Sequence, residues 1–204
     1  TDNPLIFPNP SSPGKDEVVS QGNFHGEVLA LCADNMSHAL FELAHISERR
    51  IDQMVDPSRS DLPAFLAKNS GLESGMMIVH YVAAAALAEM HARASPRSAF
   101  STPTSGGQED HVSMGATACW NLVETCKHLS QVLACELLIA CEALEYRVAE
   151  PANHVKSLYS LVRKISKPLT EDRSTSDEIQ LIAKELTNGG WLARLEAECG
   201  RLPR

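Results

Sequence analysis

From about residue 27 to 56 the apolar positions recur at helical spacing, with Val28, Leu31, Cys32, Ala39, Leu40, Leu43, Ile51, Met54 and Val55 on one stripe. This predicts a single long helix of roughly 45 Å at 1.5 Å rise per residue. Asp56-Pro57-Ser58 stops it, because a residue before proline is pushed out of helical geometry. A second helix is predicted over about 74–94. It is apolar almost all round, with Ala83-Ala84-Ala85-Ala86 at its centre, and is expected to be surrounded by other helices. A third is predicted over about 109–146, with Trp120, Val123, Leu129, Leu133, Leu137, Ile139 and Leu144 marking the buried stripe. Two shorter helices, about 154–166 and 176–186, complete the pattern. Thr175 and Glu178 have capping-box spacing for the last, and Asn188-Gly189-Gly190 ends it.

Between these elements the chain is broken by proline and glycine. The first 26 residues read as loop, with a short extended piece around Glu17–Val19, and 95–108 is an irregular loop carrying Pro96, Pro103, Gly106 and Gly107. No internal repeat appears. The expectation is an all-α fold, a long-helix bundle forming one unit over 1–204. Composition agrees: 44% of residues are hydrophobic and only 5% aromatic, so the apolar content is chiefly aliphatic and favours helices.

The formal net charge of −8 argues against a protein that tracks nucleic-acid phosphates, which needs a basic face. The segment 74–88 is too short to span a bilayer and contains His80, so no membrane is expected. The six cysteines fall at irregular spacings, mostly within apolar helical stretches, where they act as small hydrophobes rather than a disulfide framework. A reducing, cytoplasmic setting is expected. The chain begins without Met, as a processed chain or a fragment would.

Common site chemistries find little support. His38 and His45 would lie about 10 Å apart along their helix, and His80 and His91 about 16 Å, so neither pair can share one ion and no metal site is expected. Gly106-Gly107 precedes a helix, but no lysine follows at phosphate-loop spacing. Ser20, Ser105 and Ser113 have no nucleophile elbow around them.

Two segments differ in kind. One is Ser20-Gln21-Gly22-Asn23-Phe24-His25-Gly26-Glu27, a glycine-rich turn before the first long helix. Taken alone, Phe24 reads as a core or hinge aromatic and Glu27 as an acid offsetting the helix dipole. The other runs from Pro103 through Gln108-Glu109-Asp110-His111-Val112-Ser113-Met114 to Gly115. Spacing alone leaves Glu109 either an ordinary first-turn acid or a group facing a pocket, in which case Asp110 points elsewhere.

Gly22-Asn23-Phe24-His25-Gly26-Glu27 and Gln108-Glu109-Asp110-His111-Val112-Ser113-Met114 resemble two signature stretches of the histidine ammonia-lyase branch of the aromatic amino acid lyases. Thr1-Asp2-Asn3-Pro4, Ile46-Ser47-Glu48-Arg49-Arg50-Ile51, Leu62-Pro63-Ala64-Phe65-Leu66, Ser74-Gly75 before Met77-Ile78, and Asp172-Arg173 agree in order. His25 and Glu109 resemble the histidine enzymes, whereas phenylalanine lyases tend to carry glutamine at both places. Four positions depart from the pattern: Glu73 and Gly107 stand where Asn is usual, Met76 where Phe is usual, and Phe100 where Asp is usual.

The resemblance implies the C-terminal helical portion of an ammonia-lyase fold and, for the whole enzyme, anti elimination of ammonia from L-histidine to trans-urocanate in a cytoplasmic homotetramer. The family's electrophile is a methylidene-imidazolone formed from an Ala-Ser-Gly tripeptide. No Ala-Ser-Gly occurs in these 204 residues. The tripeptide and the family's tyrosine base are therefore expected in an N-terminal portion of the same protein or in a separate chain, without which this chain is not expected to be competent. By the same resemblance Phe24 packs on the substrate ring, Glu109 orients the imidazole or exchanges a proton with it, and His25 and Gln108 support them. Alternatives stay open: a 2,3-aminomutase or another aromatic amino acid ammonia-lyase on the same scaffold, or a non-catalytic helical assembly module.

Overall fold

A computed structural model describes residues 2–201, which leaves Thr1 of the first matching stretch outside the described residues. In chain order the elements are β1 (Leu5–Phe7), β2 (Glu17–Val19), α1 (Glu27–Val55), α2 (Pro57–Ser60), α3 (Met77–Arg93), α4 (Gly115–Leu144), α5 (Asn153–Ile165), α6 (Ser176–Asn188) and α7 (Gly190–Cys199). Short 3₁₀ turns occur at Asn23–His25, Ala64–Leu66 and Ser105–Gly107. The fold is helical as expected, with one two-stranded antiparallel ribbon that pairs Leu5 with Val19 and Phe7 with Glu17.

The chain divides into two compact units, 1–38 with 93–124, and 39–92 with 125–204. The second holds the larger core, built on Ile51, Met76, Val79, Leu138, Ile139 and Ile182. Three stretches singled out by resemblance meet in it. The Asp172 carboxylate accepts the backbone N–H of Ser74 (2.8 Å) and of Gly75 (2.9 Å). Those two bonds hold its pKa below the ordinary carboxylate value. Met76 N–H donates to the Phe65 carbonyl at 2.8 Å. A side chain at Gly75 would put its Cβ 2.5 Å from that same oxygen, and φ there is +56°, so only glycine fits. In the helix motif, Ser47 and Arg50 both bond Glu136 of α4, while Glu48 accepts two bonds of 2.6 Å from Arg49 and lies 2.8 Å from His80. Of the departures from the family pattern, Glu73 closes its own turn by accepting from the Asn69 backbone and side chain, and Met76 is core.

Arg163 and Glu142 form the most enclosed ion pair of this unit, 3.1 Å apart with side chains 10% and 2% exposed. Glu142 also accepts the Leu169 N–H at 3.0 Å, and Arg163 also reaches Glu145 at 2.8 Å and the Cys141 carbonyl at 2.9 Å. Every strong donor and acceptor of the pair is therefore matched, as burial of charge demands.

Several expectations are corrected. The third helix starts at Gly115, not near 109, because Met114 takes φ +54°, a left-handed conformation that a helix cannot contain. Trp120 is 70% exposed and Val123 is also exposed, since helical periodicity finds an apolar stripe without saying what covers it. The second helix is not enclosed: Val79, Ala83, Ala86 and Met90 are buried while Ile78 and Tyr81 face outward. Thr175 gives no side-chain cap; Glu178 instead takes Arg173 and the Ser166 hydroxyl. Gly189 does end α6 in a left-handed conformation, but a further helix, α7, starts at once and buries Trp191. Cys135 and Cys141 are buried as expected, whereas Cys32, Cys119 and Cys126 are exposed.

Candidate active-site face

The first unit brings both signature stretches together. The turn at Asn23–His25 is braced from the chain start: the Asn3 side chain accepts the Gln21 N–H at 2.9 Å, and the Gln21 side chain accepts the Asn23 N–H at 2.5 Å. Gly26 then takes φ +77° and its carbonyl receives the N–H groups of Leu29 and Ala30, which launches α1. The Phe24 ring lies 4.1 Å from the His25 ring, centroid to centroid and tilted by 33°, and is 44% exposed. An aromatic this accessible is not a core residue. It offers a face to a planar ligand.

Glu109 is fixed by a backbone bridge to Thr104, with Thr104 N–H donating to the Glu109 carbonyl at 2.9 Å and Glu109 N–H returning to the Thr104 carbonyl at 3.3 Å. The intervening turn runs through positive φ at Ser105, Gly106 and Gly107. Gly107 has φ +87°, a conformation that residues with side chains rarely adopt, although an added Cβ would meet open space. Gln108 is exposed on this turn, and Phe100 is exposed elsewhere in the same loop.

Residues 110–113 are not helical, and Glu109, His111 and Ser113 all turn toward the first stretch. Glu109 Oε2 lies 3.6 Å from His25 Nε2, and His111 Nε2 lies 3.0 Å from Glu27 Oε2. The Ser113 hydroxyl donates to the His25 carbonyl at 2.5 Å and accepts the Gly115 N–H at 3.2 Å, so it serves as the start cap of α4 as well as a tie. Closeness is enforced at Gly115, where a Cβ would stand 3.3 Å from both the Gly26 carbonyl oxygen and Ser113 Oγ. The reading of Glu109 and Asp110 as first-turn acids is thereby overturned, since both precede the helix.

The loop is rooted on α1 by Asp34, which accepts the Ser98 N–H at 2.8 Å and the Ser98 hydroxyl at 2.7 Å. Burial alone would raise the Asp34 pKa. The two Ser98 bonds and the nearby Arg97 outweigh it and hold the group below its ordinary value.

Of the residues expected at the site, Phe24, His25 and Glu109 are brought together and Gln108 adjoins them from the exposed turn. Glu27, His111 and Ser113 were not anticipated. The signal that could have found them is the alternation of Glu109, His111 and Ser113 at a spacing of two, masked by assigning the segment to a helix. An exposed aromatic face beside an imidazole and a carboxylate suits a planar ring with polar atoms on its rim. Among the described residues, no group of three His, Cys, Asp or Glu side chains could hold a metal ion, and no helix is long and apolar enough to cross a membrane.

The helical scaffold is that of ammonia-lyases and aminomutases. A sequence profile described as aromatic amino acid lyase matches residues 1–164, and the chain belongs to that family. It is 43% identical over 203 residues to a histidine ammonia-lyase of Symbiobacterium thermophilum, covering 99% of this chain and 39% of that protein. The crystal structure of histidine ammonia-lyase from Trypanosoma cruzi aligns with a TM-score of 0.87 at 40% identity, over 97% of this chain and 38% of that one. Tyrosine aminomutase from Streptomyces globisporus aligns with a TM-score of 0.91 at 31% identity, over 100% and 38%. The chain thus spans about two fifths of the length of these relatives.

Proposed function

We propose that this chain is part of a histidine ammonia-lyase, a carbon–nitrogen lyase releasing ammonia from L-histidine to give trans-urocanate, and that it supplies the ring-recognition face. The observation that carries the reading is the Glu109 carboxylate 3.6 Å from His25 Nε2, next to the exposed Phe24 ring. A carboxylate and an imidazole can accept from, donate to and orient ring nitrogens. Against a plain benzene ring the same groups would be left unpaired. Phe24 packs on the substrate ring, Glu109 orients it or exchanges a proton with it, and His25 and Gln108 support that placement.

The methylidene-imidazolone supplies an electron-poor centre that makes loss of an unactivated β-proton feasible. The 44% exposed Phe24 ring and the Glu109 carboxylate beside His25 would bind the substrate while that group supplied the electrophile. The tripeptide that forms it, absent from these 204 residues, is assigned to an N-terminal portion of the same protein or to a separate chain. On this reading residues 1–204 are the C-terminal helical portion and are not competent alone. Val28, Leu29, Leu31 and Met36 on α1, and Trp120 on α4, are exposed apolar side chains in amounts a lone domain rarely leaves open. They suit burial against further copies in a homotetramer. Six free thiols suit the cytoplasm.

The test is ultraviolet detection of urocanate from L-histidine by the complete enzyme with an intact Ala-Ser-Gly loop. Absence of urocanate would refute the assignment. A second reading, an aminomutase moving the amine from α to β, is favoured by the close superposition on tyrosine aminomutase. Recovery of a β-amino acid from the same mixture would select it.

A further inference from the structure

The two stretches carry two acid–imidazole pairs of opposite polarity. His25 faces Glu109 at 3.6 Å, and Glu27 faces His111 at 3.0 Å. The pairs run in step, 25 with 109 and 27 with 111, so that two residues further on the acid and the imidazole exchange sides. Both segments are held in this register by the Ser113 hydroxyl on the His25 carbonyl and by the tight approach at Gly115. Glu27 is therefore a second carboxylate beside the site, two residues from His25, and its Oε2 engages His111 Nε2.

We propose that His111, by engaging Glu27, is a positioning residue that reserves His25 for Glu109 and so sets where the substrate ring is held. The inference rests on the ring-recognition reading given above. Without His111, the Glu27 carboxylate loses the imidazole 3.0 Å from it, and His25, two residues back on the same stretch, is the next imidazole along the chain. Glu27 then competes with Glu109 for His25, and the like charges push Glu109 off its place. At 53% and 36% exposure the Glu27–His111 pair adds little to stability, as surface pairs generally do. Its consequence lies in which carboxylate meets His25.

The experiment compares His111→Leu, Glu27→Gln and the double variant in the complete enzyme. His111→Leu, which leaves no donor for Glu27, is expected to raise KM for L-histidine by about tenfold with kcat changed less than about threefold, the signature of lost ground-state placement. Glu27→Gln added to His111→Leu removes the competing carboxylate and is expected to recover most of that loss. A double variant as impaired as His111→Leu alone would overturn the proposal, since a merely structural tie is not restored by deleting its other half. Crystallography of His111→Leu gives a readout independent of turnover. Glu27 seated on His25 supports the proposal, and Glu27 turned to solvent with Glu109 unmoved overturns it. Wild-type enzyme that turns over phenylalanine or tyrosine in place of histidine refutes the substrate reading, and the same series is then decided on that amino acid.

Discussion

The hydroxyl of Ser113 donates a 2.5 Å hydrogen bond to the backbone carbonyl of His25, joining residues 88 apart in sequence at the point where the two signature stretches meet. This bond fixes the level at which Glu109 and His25 face each other, because Glu109 lies only four residues back along a non-helical segment. Ser113→Ala should destabilise the complete enzyme by about 1–2 kcal/mol, the usual cost of leaving a half-buried carbonyl without its donor. Chemical denaturation with the turnover assay run in parallel checks it. A variant with unchanged stability and unchanged KM would show that the tie is dispensable.

Glu109→Gln should lower kcat/KM for L-histidine by at least about 100-fold, the scale on which a positioned proton-transfer or charge-orienting group acts. The amide preserves shape and removes charge. Turnover equal to that of wild type would remove Glu109 from the catalytic assignment.

Removal of Arg163 leaves Glu142 buried at 2% exposure with only the Leu169 N–H to compensate it. Arg163→Ala is therefore expected to cost about 3–5 kcal/mol, the penalty for breaking rather than replacing a buried pair. Thermal unfolding measures it. Replacing both residues together by apolar ones of similar volume should cost less than Arg163→Ala, and an equal or larger loss would contradict the argument.

Acid should loosen the molecule through Asp34 and Glu48. Burial raises the Glu48 pKa, but the bonds from Arg49 and His80 outweigh it, so the folded value lies below the ordinary 4.5. Asp34 lies below its ordinary 3.8 by the balance described above. A carboxylate depressed on folding contributes its stability in full above the ordinary value and loses it as pH falls through the folded one. Unfolding midpoints are expected to hold from neutrality to about pH 5 and to fall below about pH 4. Glu48→Gln should flatten part of that fall; an unaltered profile would exclude Glu48 as a contributor.

Thiol reactivity should separate two groups of cysteines. Burial pushes the Cys135 thiol up to about 12 and the Cys141 thiol up to about 11, which leaves almost no thiolate at neutral pH. Native-state alkylation followed by peptide mass mapping should leave both unmodified while Cys32, Cys119 and Cys126 of the free chain react. Where copies of the chain pack through α1 and α4, those three should be slowed. Rapid labelling of Cys135 would contradict the core as described.

The sequence by itself determined the long helices, the break at Asp56-Pro57 and the two motif stretches with the family to which they point. These are local properties: apolar spacing of three and four residues, proline geometry and contiguous motifs are legible without a fold. Tertiary structure decided the rest. A local pattern runs continuously through 109–114, yet Met114 is left-handed, the Thr104 bridge holds Glu109 outside the helix, and α4 begins only at Gly115. The pairing of His25 with Glu109 and of Glu27 with His111 depends on bonds between residues 84 apart in sequence, which no periodicity encodes. Trp120 shows the same boundary from the other side. The sequence placed it on an apolar stripe, and only the folded chain revealed that Trp120 is left 70% exposed while Ile139 of the same stripe is fully buried.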